Sequence, residues 1–322
     1  MTRSELQAPR GYGDLAVPAQ RDSAPSPKRR RRRRFDATPY WLILPASVLL
    51  IGLMGYPLVR LVVQSFQHWG LRQIHGGYPP DWVGFDNYQQ IFTDPMFWTA
   101  VERSVLLTVV MVGASMLIGV GIALLMQRVP AWVRWLITLS LVVAWSVPSV
   151  VSTEMFAWMT DYNYGVVNWL LGMPRHNWYI NNVEGFGVAS AVVVWGAVPL
   201  IAISTYAALS QVPSELVEAA RVDGATSGQI LRRITLPLIR PIIRLLTVLS
   251  IIWDLQVFAQ IWVLRQSSPT QDYFTLGIYA YTKAYYSHSY GYASAVAIVI
   301  VLLLAMVVGV YMRSLSKLGG ID

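Results

Sequence analysis

The sequence predicts an all-α, polytopic membrane protein with six transmembrane helices and a polar cytoplasmic loop between the fourth and fifth. Three observations carry this. Hydrophobic residues make up 55% of the chain and charged residues only 13%, against roughly a quarter charged in soluble domains. The apolar residues gather into six runs long enough to cross a bilayer. A stretch too polar to cross one, residues 210–241, separates runs four and five.

The formal net charge of +8 is concentrated rather than spread. Lys28 and the arginines at 29–34 stand just ahead of the first apolar run, where positive charge sets orientation before it binds anything. Residues 1–38, rich in Pro, Ser, Ala and Arg and without apolar periodicity, are expected to form a disordered basic cytoplasmic tail. Contact of that tail with membrane lipid follows as a side effect; nucleic acid is not an expected partner. The absence of cysteine excludes disulfides, thiolate metal sites and a cysteine nucleophile.

The first span, residues 39–64, is too long for a signal-peptide core and lacks a small-residue cleavage site, so it is expected to be retained. Residues 65–98 are polar and aromatic, as suits an outer loop at the membrane interface. The second span, 100–127, carries Gly113, Ala114, Ser115, Gly119, Gly121 and Ala123 for close helix packing. Arg128 and Arg134 mark a cytoplasmic link. The third span, 135–159, is interrupted by Pro148 and holds Glu154, which either lines a pathway or sits near the outer interface. An outer loop, 160–185, leads to the fourth span at 186–209.

Residues 210–241 read as a helical hairpin on the membrane surface. Pro213 suits a helix start, and Glu215 and Glu218 favour the positive end of the helix dipole. Leu216, Ala219 and Ala220 share a small apolar face. Asp223 and Gly224 stop this helix, glycine accepting a left-handed backbone without steric cost. Thr226 and Gln229 form a capping-box pattern that starts a second helix through Ile230, Leu231 and Ile234, which Pro237 ends or kinks. Arg221, Arg232, Arg233, Arg240 and Arg244 outnumber the acids and place the hairpin on the side of the amino terminus. The fifth span, 242–264, carries Trp253, Asp254, Gln256 and Gln260 in an aliphatic background. Gln256 and Gln260 are one helical turn apart and share a face, whereas Asp254 and Gln256 do not. That face either lines a cavity or bonds a neighbouring subunit. The sixth span, 291–312, ends at Arg313 and Lys317, giving a transmembrane domain at 39–315 and a short cytoplasmic tail at 316–322.

The order Glu218-Ala219-Ala220, Asp223-Gly224-Ala225, then Ile234, Leu236 and Pro237 resembles the EAA signature of the membrane subunits of bacterial ATP-binding-cassette importers. The Asn87-Tyr88 and Asp94-Pro95 of the first outer loop are similar to the carbohydrate branch of these permeases, as are Phe258 with residues 261–264 and Gly291-Tyr292-Ala293-Ser294-Ala295. Ala259, Arg265 and Ser267-Ser268-Pro269 depart from that branch.

The resemblance implies a binding-protein-dependent permease of the bacterial inner membrane. Glu218, Ala219, Ala220, Asp223, Gly224 and Pro237 would couple it to two ATP-binding subunits. A second permease subunit and an extracytoplasmic solute-binding protein would complete it. No phosphate-cradling Gly-x-x-x-x-Gly-Lys-Ser/Thr stretch is present, so ATP and Mg would belong to the partners and no cofactor to this chain, which is expected to be a transport subunit and not an enzyme. Trp253, Asp254, Gln256, Gln260 and Glu154 are the substrate-path candidates. The resemblance to the carbohydrate branch implies a sugar as the solute, and aromatic rings that stack on sugar faces with amides that pair with hydroxyls add weaker chemical support; phosphate esters or peptides are the nearest alternatives, and a secondary transporter is more distant.

Overall fold

The computed structural model describes residues 38–316 of the 322; the basic tail, its arginine run and the last six residues lie outside the described residues. The chain divides into two units at Gly52. In the first, Thr38–Leu50 is helical with Pro45 inside it, and its apolar side chains from Trp41 onward are exposed. By length and hydropathy, Trp41–Ser65 qualifies as a membrane span.

Among the described residues, the regular structure of the second unit is helical but for one short antiparallel pair, Gln67–His68 with Asp81–Trp82. Its centre is the packing of the second span, Pro95–Met126, against the fourth, Asn182–Leu209. Phe97, Ala100, Ser104, Thr108, Met111, Ser115, Gly119, Ala123 and Met126 are buried at helical spacing, one stripe along the second span. Gly119 sits where the backbones come closest: a Cβ there would lie 2.6 Å from Ile201 Cγ2. Only part of the expected small-residue set serves this contact. Ser115, Gly119 and Ala123 lie on the stripe, whereas Gly113 and Gly121 point away and are exposed.

The third span is two helices, Ala131–Ser146 and Ser149–Met159, bent by 98° at the expected proline, Pro148. With that pair taken as one crossing, the described residues contain six candidate spans.

The fifth span differs from expectation at both ends. Helix begins at Ser227, passes through a π-helical turn at Leu231–Thr235 and continues as Leu236–Asp254. Pro237 therefore does not end the helix. It is the second residue of Leu236–Asp254, directly after the π turn, which accommodates the missing proline N–H. The helix then breaks at residues 255–258 and resumes as Ala259–Leu264, packed on the second half of span three and on span four. Gln256 and Gln260 consequently do not share one helix face.

The sixth span is Tyr290–Arg313. At the membrane face opposite the hairpin, the ends of spans two and six and the helix Leu276–Tyr285 enclose a core around Ile91, Phe97, Leu276, Ile278, Tyr279 and Val296, each no more than 1% exposed.

Candidate functional site

Two features are built from the residues singled out above. The first is the hairpin. Its leading helix is Ser214–Val222, with Pro213 one position earlier than a first-turn residue, as its N-cap. Asp223 is the C-cap, and Gly224 has φ +81°. The amide of Gly224 bonds the carbonyl of Arg221 at 3.0 Å and that of Ala225 bonds Ala220 at 2.9 Å. These two bonds make a Schellman closure, which needs the left-handed residue between them. The next helix starts with the expected capping box: the Thr226 amide bonds Gln229 Oε1 at 2.8 Å and the Gln229 amide bonds Thr226 Oγ1 at 3.4 Å.

The leading helix has two sides. Val217 and Arg221, one turn apart, face a cavity beneath it. Glu215, Glu218, Ala219 and Val222 form the outer stripe and are exposed, Val222 by 89%. Ala220 is half-buried. No residue of this helix is buried, so a capped, rigid element presents two carboxylates and a small apolar surface outward.

The second feature is a cavity of about 620 Å³ where two broken helices meet the fourth span. The bend of span three supplies Ala144, Trp145 and Ser149; span four supplies Trp195 and Gly196; the break in span five supplies Trp253, Asp254, Gln256 and Gln260. Residues 192–200 are the middle of the fourth span, so the cavity lies at mid-membrane depth. Non-helical backbone is tolerated there where it lines a cavity or is covered by protein. The break resolves the geometric objection raised by the sequence, because Asp254 and Gln256 reach one space only once the helix stops. Asp254 is 6% exposed, and its Oδ2 has no hydrogen-bond partner. Gln256 Nε2 donates to the Ile252 carbonyl at 3.0 Å. Trp253 is half-exposed. Glu154 is exposed on Ser149–Met159 and does not line this cavity. Trp145 and Trp195 were not singled out from the sequence: tryptophan in an apolar run carries no signal separating pathway from packing. Among the described residues no three His, Cys, Asp or Glu side chains gather as a metal site.

Residues 115–318, more than half of the chain, match the family described as binding-protein-dependent transport system inner membrane component. The chain belongs to this family. As a binding-protein-dependent inner membrane component it is a permease subunit of an ATP-binding-cassette importer, a transport component and not an enzyme. It is 33% identical over 287 residues to the diacetylchitobiose uptake system permease protein DasB of Streptomyces coelicolor, covering 87% of each chain. It is 34% identical over 241 residues to the sulfoquinovosyl glycerol transport system permease protein SmoG of Agrobacterium fabrum, covering 74% of this chain and 77% of that one. In fold it is similar to a chain of a bacterial alginate ABC transporter solved in complex with an alginate pentasaccharide-bound periplasmic protein. That similarity has TM-score 0.73 and 21% identity, over 86% of this chain and 93% of the other. This multi-pass component of the inner membrane thus has the membrane fold that the sequence predicts, with the EAA loop between spans four and five.

Proposed function

We propose that this chain forms half of the translocation path of an importer for a sugar or oligosaccharide, and that the EAA hairpin is its drive shaft. The observation that carries the substrate class is the cavity in which Trp145, Trp195 and Trp253 stand with the amides of Gln256 and Gln260. Flat apolar rings and neutral hydrogen-bonding groups match the two kinds of surface a pyranose presents. The printed names of the relatives, which include a diacetylchitobiose and a sulfoquinovosyl glycerol permease, support the same class.

The partners in this reading are a second permease subunit, two ATP-binding subunits that carry ATP and Mg, an extracytoplasmic solute-binding protein and the surrounding lipid. Both termini and the hairpin face the cytoplasm, and the loops between spans one and two, three and four, and five and six face outward. The divisions are a basic tail at 1–38, the permease domain at 39–315 with its coupling loop at 210–241, and a tail at 316–322. Closure of the ATP-binding pair pushes on the outer stripe of Ser214–Val222, with Glu218 as the principal polar contact. The Schellman closure at Gly224 keeps the lever's shape, and Leu231–Thr235 passes the motion through Pro237 to the fifth span. The break at 255–258 then shifts against the bend of span three, and the cavity opens alternately to the two sides.

The test uses the absence of cysteine in the chain. An Ala219→Cys variant in the assembled transporter, treated with a short bifunctional maleimide reagent, is expected to cross-link to an ATP-binding subunit. Reconstituted vesicles are expected to take up a chito- or other oligosaccharide only with ATP and binding protein. Uptake that ignores ATP, or labelling of the introduced thiol from outside the cell, overturns the reading.

A further inference from the structure

We propose that the cavity beneath the hairpin is an anion site that takes a phosphate group at the membrane surface. It measures about 440 Å³ and lies among the end of span two, the start of span three, the end of span four and the hairpin itself. Arg128, Arg134 and Arg221 reach it from three separate elements, and no carboxylate lines it. Glu215, Glu218 and Asp223 are on the same hairpin but do not line the cavity.

Among the described residues no carboxylate pairs with any of the three guanidinium groups. Arg134 is held in place by carbonyls alone: Nε donates to Met126 O at 3.1 Å and Nη2 to Val129 O at 3.3 Å, and the group stands over the Tyr206 ring at 5.5 Å. These contacts fix its position and, among the described residues, leave its charge uncompensated. The side chains of Arg128 and Arg221 are exposed and make no hydrogen bond or ion pair among the described residues. Like charges converging on one concavity repel, and a bound anion turns that repulsion into attraction. The planar fork of arginine fits phosphate oxygens two at a time.

The depth of the site bears on the source. The second span ends at Met126, the fourth at Leu209, and the fifth begins at Ser227, so the cavity lies at headgroup level. Leu124, Leu209 and Ile230 supply an aliphatic wall beside the cations. This combination suits the phosphate of an anionic lipid, and free phosphate shares its chemistry. An anion held there ties Arg221 of the hairpin to the link between spans two and three. Binding stands on this geometry alone; its effect on transport rests on the lever reading above.

The test is binding to the intact transporter complex in neutral detergent, followed by native mass spectrometry. Dioleoyl phosphatidylglycerol is titrated in, with dioleoyl phosphatidylcholine as the zwitterionic comparison and inorganic phosphate as competitor. In the double variant Arg128→Gln with Arg221→Gln, affinity for phosphatidylglycerol is expected to fall about tenfold or more, as for loss of a charge-assisted hydrogen bond. Arg240→Gln removes an exposed arginine that does not line the cavity and is expected to leave affinity unchanged. Displacement of the lipid by inorganic phosphate assigns the site to phosphate from either source; persistence of the lipid assigns it to the headgroup. Equal binding by the double variant and the parent, or an equal loss in Arg240→Gln, overturns the proposal. If the double variant does not assemble, Arg128→Gln alone carries the same comparison, with a smaller loss expected and no loss overturning it.

Discussion

Tyr279 donates its hydroxyl proton to Asp94 Oδ2 at 2.7 Å, joining residues 185 apart in sequence. Tyr292 lies 2.6 Å from the Tyr279 oxygen and, because the Tyr279 proton is committed, is the donor in that pair. Lys283 Nζ is 3.3 Å from the same carboxylate oxygen, and Oδ1 caps the second span by accepting from the Met96 amide at 2.8 Å. One carboxylate thus fastens span two, the helix Leu276–Tyr285 and span six at the loop face.

Removal of this carboxylate is expected to loosen that face. Asp94→Ala loses the cap and the charged bonds together, about 2 kcal/mol or more, whereas Asp94→Asn can still cap and should lose about 1 kcal/mol. Thermal inactivation in detergent would check the order. The pH dependence has a definite sign. Burial raises the Asp94 pKa, but the bonds from Tyr279 and Met96 and the charge of Lys283 outweigh it and hold it below 3.8. A depressed folded-state pKa means that the stabilisation is complete above the unfolded value and is lost as pH falls through the folded one. The gap between parent and Asp94→Asn should therefore be constant above about pH 5 and close only below about pH 4.

Gly224 tests the hairpin's shape separately from its surface. A Cβ there would meet nothing within 4 Å, so the cost of a side chain is wholly the φ of +81°. Gly224→Ala is expected to cost about 1–2 kcal/mol of local structure, and Gly224→Val more, because a branched residue resists the left-handed region. Uptake should fall in the order Gly, Ala, Val at equal protein in the membrane. Equal uptake by all three would mean that the closure is dispensable.

Arg265 is one of the departures from the carbohydrate branch, and the structure gives it local work. Nη1 donates to the Tyr179 carbonyl at 2.9 Å, and the guanidinium stands 4.4 Å over the Tyr273 ring, whose hydroxyl donates to the same carbonyl at 3.0 Å. Arg265→Ala should free the loop around Tyr179 and cost about 1–3 kcal/mol. Lysine can keep the charge but not the planar stacking, so Arg265→Lys should recover only part. Protease nicking of that loop in the intact complex is the measure: faster in Ala, intermediate in Lys.

The hairpin was readable from sequence because its determinants are local: Gly224 sets the turn, and Thr226 with Gln229 sets the next helix start. The bend at Pro148 was readable for the same reason. The break at 255–258 was not. Leu255, Gln256, Val257 and Phe258 include neither glycine nor proline to mark a break. The contacts around the break are tertiary, with the Phe258 ring 5.2 Å from Tyr281 and a Cβ at Gly277 3.6 Å from Phe258 Cβ. At Pro237 the local rule predicts a stop or kink, and the stop does not occur: a π turn at Leu231–Thr235 lets the helix run on. The tryptophans of spans three and four could not be distinguished from packing residues until the broken helices brought Trp145 and Trp195 to Asp254.

Asp254 and Glu154 make a matched pair of acids in apolar runs, and the structure separates them. Asp254 lines the cavity at the helix break and is buried, with its Oδ2 enclosed and unpaired, whereas Glu154 is exposed and lies off the cavity. A solute hydroxyl that reaches this carboxylate as the break shifts would supply the donor it lacks, a charge-assisted bond worth about 1.5–3 kcal/mol, or roughly a tenfold or greater change in rate. Asp254→Asn keeps the shape and one acceptor and is expected to lower uptake about tenfold. Glu154→Gln should stay within about twofold, as an exposed side chain contributes little. Uptake by vesicles holding equal amounts of assembled transporter decides it: loss in Glu154→Gln with Asp254→Asn unaffected would move the pathway to the other face of the third span.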